Sequence, residues 1–332
     1  MRILYRTAVA FALTALWVIS SGCSAVEDPG IGDTDLHSSA PDSILPLPAV
    51  QPVRLPPGEL LSVVASTSIV GDVVAQVGGD AIELTTLMMP GQDPHGFEPT
   101  SSDMIAVSRA RIAFVNGWEL EAGLIVLIKS VSDEIVMVPV SADIVPIRFG
   151  GVSDPHVWMD PQNVMIWTEN VEKILSALDP KNREVYRRNA DSYLQELNDL
   201  DQYLEAQTAA IPQDRRKLVT NHDSLGYLEA RYGFEVIATV IPAADPLAEP
   251  SARALGELVQ QMKSAGLCTV YAESSANVNL AQAAAAELDT CSTVQVIELY
   301  TGAIGPPGSG ADSYIGMMRS NIDAIVEGQS YE

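Results

Sequence analysis

One stretch near the middle of the chain constrains the fold more than any other. Across residues 181–210 the apolar positions Tyr186, Ala190, Tyr193, Leu197, Leu200 and Leu204 are spaced alternately four and three apart. That spacing places them on a single stripe of one helix. At ~1.5 Å per residue such a helix is about 45 Å long, enough to run from one domain to another. Asp179-Pro180 separates it from a preceding helix, and Pro212 ends it. The preceding helix opens at Asp160-Pro161, a cap followed by proline at the first helical position, and runs to about residue 178.

On both sides of this helical region, short β-branched runs alternate with helical spacing. Before it, strands are predicted at 61–66, 82–87, 112–115 and 135–138, with helices over 69–77, 104–110 and 119–130. Thr100 with Asp103 forms a capping box with Asp in place of Glu, opening the second of these helices. After it, strands are predicted at 218–221, 234–241, 269–272 and 294–299, with helices over 224–232, 250–264, 278–288 and 313–326. Alternation of this kind means βαβ units and parallel sheets. The expected fold is therefore α/β: two lobes with parallel sheets joined by one long rigid helix. The boundaries are 59–178 for the N-terminal lobe, 179–212 for the linking helix and 213–332 for the C-terminal lobe. No internal sequence repeat is visible.

The first 58 residues belong to neither lobe. Arg2 and Arg6 precede an apolar stretch over 8–20, and Ser20, Ser21 and Gly22 precede Cys23. This is the pattern of a signal peptide, 1–22, followed by a cysteine that is acylated after cleavage. Residues 23–58 are rich in Pro, Asp, Ser and Gly and read as a lipid-anchored disordered tether, with His37 idle within it. With Cys23 assigned to lipid, Cys268 and Cys291 remain. Each sits just before a predicted strand, and an oxidising compartment favours a disulfide between them over two separate thiols.

Charge narrows the function. The chain carries 43 Asp plus Glu against 19 Lys plus Arg, which argues against nucleic-acid binding. No apolar run reaches the ~20 residues of a spanning helix. The positive candidates are histidines, of which the chain has four. His95 lies in Asp93-Pro94-His95 and His156 in Asp154-Pro155-His156, while His222 follows a predicted strand. Ligands of open parallel sheets bind at the carboxyl ends of strands. His95 and His156 from one lobe and His222 from the other would meet in a cleft. Imidazole suits zinc, copper, iron and manganese sites, each Pro restricts its loop, and Asp93, Glu98 or Asp154 could accept the second ring N–H.

Several longer segments resemble a known family. They are Ser66-Thr67-Ser68-Ile69-Val70, Pro90 to Pro99, Asn116-Gly117-Trp118-Glu119-Leu120-Glu121, Asp154 to Pro161, His222-Asp223-Ser224-Leu225-Gly226-Tyr227 with Tyr232-Gly233, Glu249-Pro250-Ser251, and Gly305 to Asp312. In this order they resemble the cluster A-I substrate-binding proteins of ABC transporters for zinc and manganese, over about residues 58–329. The resemblance implies a metal held between two lobes by His95, His156 and His222. It also implies an aspartate ligand after the last strand, but this chain reads Leu299-Tyr300-Thr301-Gly302 there, and Gly302 has no side chain. Three histidines plus water, or a carboxylate such as Glu273 or Asp312, would complete the set.

The expected function is extracytoplasmic capture of a transition metal, Zn²⁺ in preference to Mn²⁺, and delivery to an ABC permease in the cytoplasmic membrane. The carrier is expected to be a monomer, lipid-anchored on the outer membrane face or periplasmic, with no nucleic-acid partner and no catalysis. The competing readings are a manganese-binding homologue, a surface adhesin, and a zinc hydrolase using Glu98 or Glu273 as base.

Overall fold

The structure, a computed structural model, describes residues 44–131, 135–149, 151–241, 251–274, 279–289, 291 and 294–329. The leader, Cys23, His37, Glu249 and Pro250 lie outside the described residues. The first lobe comprises β1 (Leu61–Ala65), α1 (Ser68–Gly78), β2 (Ile82–Thr86), α2 (Ser101–Arg109), β3 (Ile112–Val115), α3 (Ala122–Val131) and β4 (Val136–Pro139). A small hairpin follows, β5 (Arg148–Phe149) with β6 (Val152–Ser153), and then α4 (Pro161–Leu178) and α5 (Arg183–Ala209). The second lobe comprises β7 (Lys217–Thr220), α6 (Gly226–Tyr232), β8 (Glu235–Thr239), α7 (Ala252–Ala265), β9 (Thr269–Glu273), α8 (Asn279–Ala286), β10 (Gln295–Leu299) and α9 (Tyr314–Gly328).

Both main sheets are parallel, with orders β2-β1-β3-β4 and β10-β9-β7-β8. Numbered within its own lobe, each is 2-1-3-4, so the two lobes share one topology without sharing a sequence repeat. In each, the crossovers leave in opposite directions from between the first and third strands, and a crevice opens there at the carboxyl ends.

Alternation along each strand sorts its side chains to two faces. Leu61, Val63 and Ala65 of β1 and Ile112 and Phe114 of β3 face an inner layer, while Val64 and Ala113 face outward against α2 and α3. In the second sheet Leu218 and Tyr271 face inward, and Val219, Val270 and Ala272 pack outward with Leu258 and Met262 of α7. The inner faces of both sheets and α1, α4, α5 and α9 form one continuous apolar body. A wide opening between lobes would have to expose this shared core, at ~25 cal/mol for each Å² of apolar surface.

The linking helix is α5. Its stripe of Tyr186, Ala190, Tyr193, Leu197, Leu200 and Leu204 is buried throughout, as the spacing predicts. It packs on α1, α4 and α9. A polar lock adds to this. Asp201 of α5 is buried and accepts from Gln162 Nε2 at 2.7 Å, from Tyr232 Oη at 2.7 Å and from Arg231, so α6 of the second lobe is tied to α4 and α5.

Cys268 and Cys291 form a disulfide with Cα atoms 5.8 Å apart. Gln295 pairs with Thr269 across β9 and β10, so the bond closes the ends of these strands away from the crevice. Replacing both cysteines by serine is expected to lower the unfolding free energy by about 3 kcal/mol, the chain-entropy value for a 23-residue separation. The result should be a lower urea midpoint with unchanged metal stoichiometry. An unchanged midpoint would mean that the bond constrains nothing that unfolding frees.

Two local expectations are corrected, and one element is added. Residues 44–58, expected within the disordered tether, instead run extended along the first lobe. Leu47, Val50, Val53 and Leu55 pack on the core, Val53 N–H donates to Leu178 O at 2.8 Å and Asp143 N–H to Leu45 O at 3.0 Å. The prolines there exclude helix and sheet, but they do not prevent an extended chain from burying side chains. The helix expected to begin at 119 begins at Ala122, because Gly117, Trp118 and Glu119 take φ of 100°, 53° and 62° and form a left-handed turn. The hairpin of β5 and β6 is too short to leave a periodic signal.

Candidate metal centre

The three histidines reach the crevice by different routes. His95 lies on the long loop after β2, whose start is fixed where Leu87 and Met88 donate to Ala65 O and Ser66 O at the end of β1, both at 2.9 Å. His156 precedes a 3-10 turn over Val157–Met159. His222 follows β7, its carbonyl held by Thr220 Oγ1 at 2.9 Å and Ser224 N–H at 3.0 Å. Thr220 is in register with Tyr271, so the parallel pairing of β7 with β9 brings residue 222 level with Glu273.

The repeated Asp-Pro-His segments make the same turn. Asp93 Oδ1 accepts the His95 backbone N–H at 2.9 Å, and Asp154 Oδ1 accepts that of His156 at 3.0 Å. A side chain that binds the backbone two residues on, with proline between, pre-sets the loop before any metal arrives. In the second copy the same Asp154 oxygen also meets His156 Nδ1 at 2.7 Å.

The imidazoles converge. His156 Nε2 lies 3.3 Å from His95 Nε2 and 3.3 Å from His222 Nε2, and ring centroids are 5.2–5.7 Å apart. His156 and His222 are buried and His95 is half-buried. Nitrogens ~2.0–2.1 Å from one tetrahedral ion stand about 3.3 Å apart. The Nε2 spacing therefore suits a single cation.

Carboxylates stand behind the rings. Glu273 Oε2 lies 2.8 Å from His222 Nδ1. Burial would raise the Glu273 carboxyl, but the adjoining His222, and His156 beyond it, hold it well below the usual range. Burial disfavours a charge on His222, yet Glu273, with Asp93 and Asp223, raises its pKa above the ordinary value. A carboxylate on the second ring nitrogen fixes the tautomer that leaves Nε2 free to donate.

Of the residues flagged as alternatives, Asp154 takes the predicted ring contact, whereas Asp93 serves the backbone and Glu98 is exposed. Glu273 meets the far nitrogen of His222, not the point where the Nε2 atoms face one another. Asp312 is exposed and accepts Gly308 N–H at 2.7 Å, closing the 306–310 loop. Gly302 is buried and offers no donor.

The sequence reading missed the groups that hold His156 in place. Asn116 Nδ2 donates to Pro155 O at 3.0 Å, while Glu121 Oε1 accepts from Asn116 N–H and Ser66 Oγ, both at 2.6 Å. Tyr227 Oη from the second lobe donates to Asp154 O at 2.9 Å. Trp158 stacks edge-on against His156 and donates from Nε1 to Thr301 O at 2.8 Å. Asn116 and Glu121 lie in one of the resembling segments, which marked them without giving their role. A cavity of about 490 Å³ adjoins the cluster, lined by His95, His156, Trp118, Phe149 and Asp223 among others.

Two topologically matched lobes that share a core, with imidazoles facing one another in the crevice, define a binding protein that holds a metal ion as its cargo. The chain belongs to the family described as zinc-uptake complex component A, periplasmic, whose profile matches residues 63–328. It is 31% identical over 327 residues to the manganese-binding lipoprotein MntA of Halalkalibacterium halodurans, covering 98% of this chain and 99% of that one. It is 30% identical over 283 residues to the iron ABC transporter substrate-binding lipoprotein MtsA of Streptococcus pyogenes, covering 81% and 88%. Among solved structures it resembles the periplasmic zinc-binding protein TroA from Treponema pallidum, with TM-score 0.76 and 28% identity over 82% of this chain and 99% of that one. The protein is thus an extracytoplasmic, membrane-anchored substrate-binding component of a metal ABC transporter, and not an enzyme.

Proposed function

We propose that this protein captures Zn²⁺ on His95, His156 and His222 and releases it to an ABC permease in the cytoplasmic membrane. The observation that carries the reading is the pair of 3.3 Å Nε2 separations linking imidazoles from both lobes. Three neutral nitrogen donors suit zinc, whereas Mn²⁺ prefers oxygen. The names of the relatives cover manganese, iron and zinc, so the choice of metal rests on this donor set. In this reading residues 1–22 are removed, Cys23 is acylated, and the protein works as a monomer. The shared inner core opposes a wide opening of the lobes. Release then proceeds by a local shift of His222 and its turn, away from the two histidines of the first lobe.

The test is calorimetric titration of the metal-free protein with zinc and with manganese. The expected result is one site, submicromolar for zinc and much weaker for manganese. Equal or tighter manganese binding would overturn the zinc assignment.

A further inference from the structure

Zinc takes four donors, and among the described residues three imidazole nitrogens meet. Of the buried and half-buried carboxylates around them, three are committed. Asp93 holds the His95 backbone, Asp154 holds the backbone and ring of His156, and Glu273 lies against His222 Nδ1. Asp223 differs from these. It is half-buried, lines the same cavity as His95 and His156, and makes no hydrogen bond or ion pair among the described residues. Its neighbour His222 has its carbonyl fixed from both sides by Thr220 and Ser224, so the backbone is anchored while the Asp223 side chain is left to turn. One χ1 rotation moves a carboxylate oxygen by roughly 3 Å.

We propose that Asp223 is the fourth donor, swinging from the cavity wall onto the metal as it binds. This rests on the capture of zinc by the three histidines. It gives the site an N₃O set and neutralises part of the charge that a dication brings into a buried place. It also places two consecutive donors, His222 and Asp223, on one turn of the second lobe, so a single loop movement would remove half of the coordination sphere at release.

The zinc-loaded full chain, crystallised and located at the zinc absorption edge, tests this directly. An Asp223 carboxylate oxygen about 2.0–2.2 Å from the metal is expected. Asp223→Asn should weaken zinc binding at least tenfold and change the visible ligand-field spectrum of the cobalt-substituted protein. Glu119→Gln, an exposed carboxylate on the same cavity, should leave both within twofold. Zinc on three imidazoles with a solvent oxygen in fourth place would overturn the assignment of Asp223 while sparing capture by the histidines. So would equal, spectrally silent losses in the two variants. Zinc bound away from the imidazoles would overturn both. The wild-type crystal decides the matter even if a variant fails to fold.

Discussion

His156→Ala is expected to lower zinc affinity by about two to three orders of magnitude. Structural zinc sites bind with roughly 10–16 kcal/mol across four ligands, so one ligand carries about 2.5–4 kcal/mol, and each ~1.4 kcal/mol is tenfold. His156 is the member of the cluster whose Nε2 lies 3.3 Å from both others, so its loss leaves the remaining donors without the ring that brings them to one point. A second effect follows from what stands behind it. Asp154 is buried, its Oδ1 faces the His156 ring, and its Oδ2 takes no hydrogen bond. Removing the imidazole leaves that carboxylate with the backbone N–H of residue 156, which costs about 1–3 kcal/mol of stability. Calorimetry and thermal unfolding of the metal-free variant separate the two effects. Wild-type affinity in His156→Ala would remove the basis for the metal centre.

Asp201→Ala is expected to destabilise the fold by about 3 kcal/mol at neutral pH, the lower end of the range for breaking a buried ion pair. Arg231 keeps Glu205 at 3.2 Å and Asp160 at 3.7 Å, which moderates the loss, while Tyr232 Oη and Gln162 Nε2 lose their acceptor. The effect should fade in acid. Burial pushes the Asp201 carboxyl up, but the bonds from Arg231, Tyr232 and Gln162 hold it below its ordinary value. A carboxylate depressed in the fold contributes stability that is present above its unfolded pKa of ~3.9 and is lost as pH falls through the lower folded value. Urea midpoints of wild type and variant should differ by a constant amount from about pH 5 to 8 and converge below about pH 4. A gap that persisted at low pH would show that Asp201 acts by packing and not by charge.

Most of the architecture was legible because it is written in short-range patterns. The stripe from Tyr186 to Leu204 fixed α5, whose span of 183–209 nearly matches the expected 181–210. β-Branched runs fixed the eight main strands. The two Asp-Pro-His segments announced pre-set loops, because an Asp carboxylate can reach the N–H two residues on within any chain that turns there.

What was not legible depends on which strands lie side by side and in what register. The placement of Glu273 behind His222 follows from β7 pairing with β9, 51 residues on in sequence, in a register with Thr220 opposite Tyr271. The Asn116–Pro155 and Tyr227–Asp154 bonds, the packing of residues 44–58 and the single core shared by both lobes have the same origin. Periodicity and turn chemistry are decided among near neighbours, so the sequence alone determined the elements, their order and the three histidines. The distances between those histidines, and the carboxylates that orient them, were decided only when side chains far apart in the chain packed against one another.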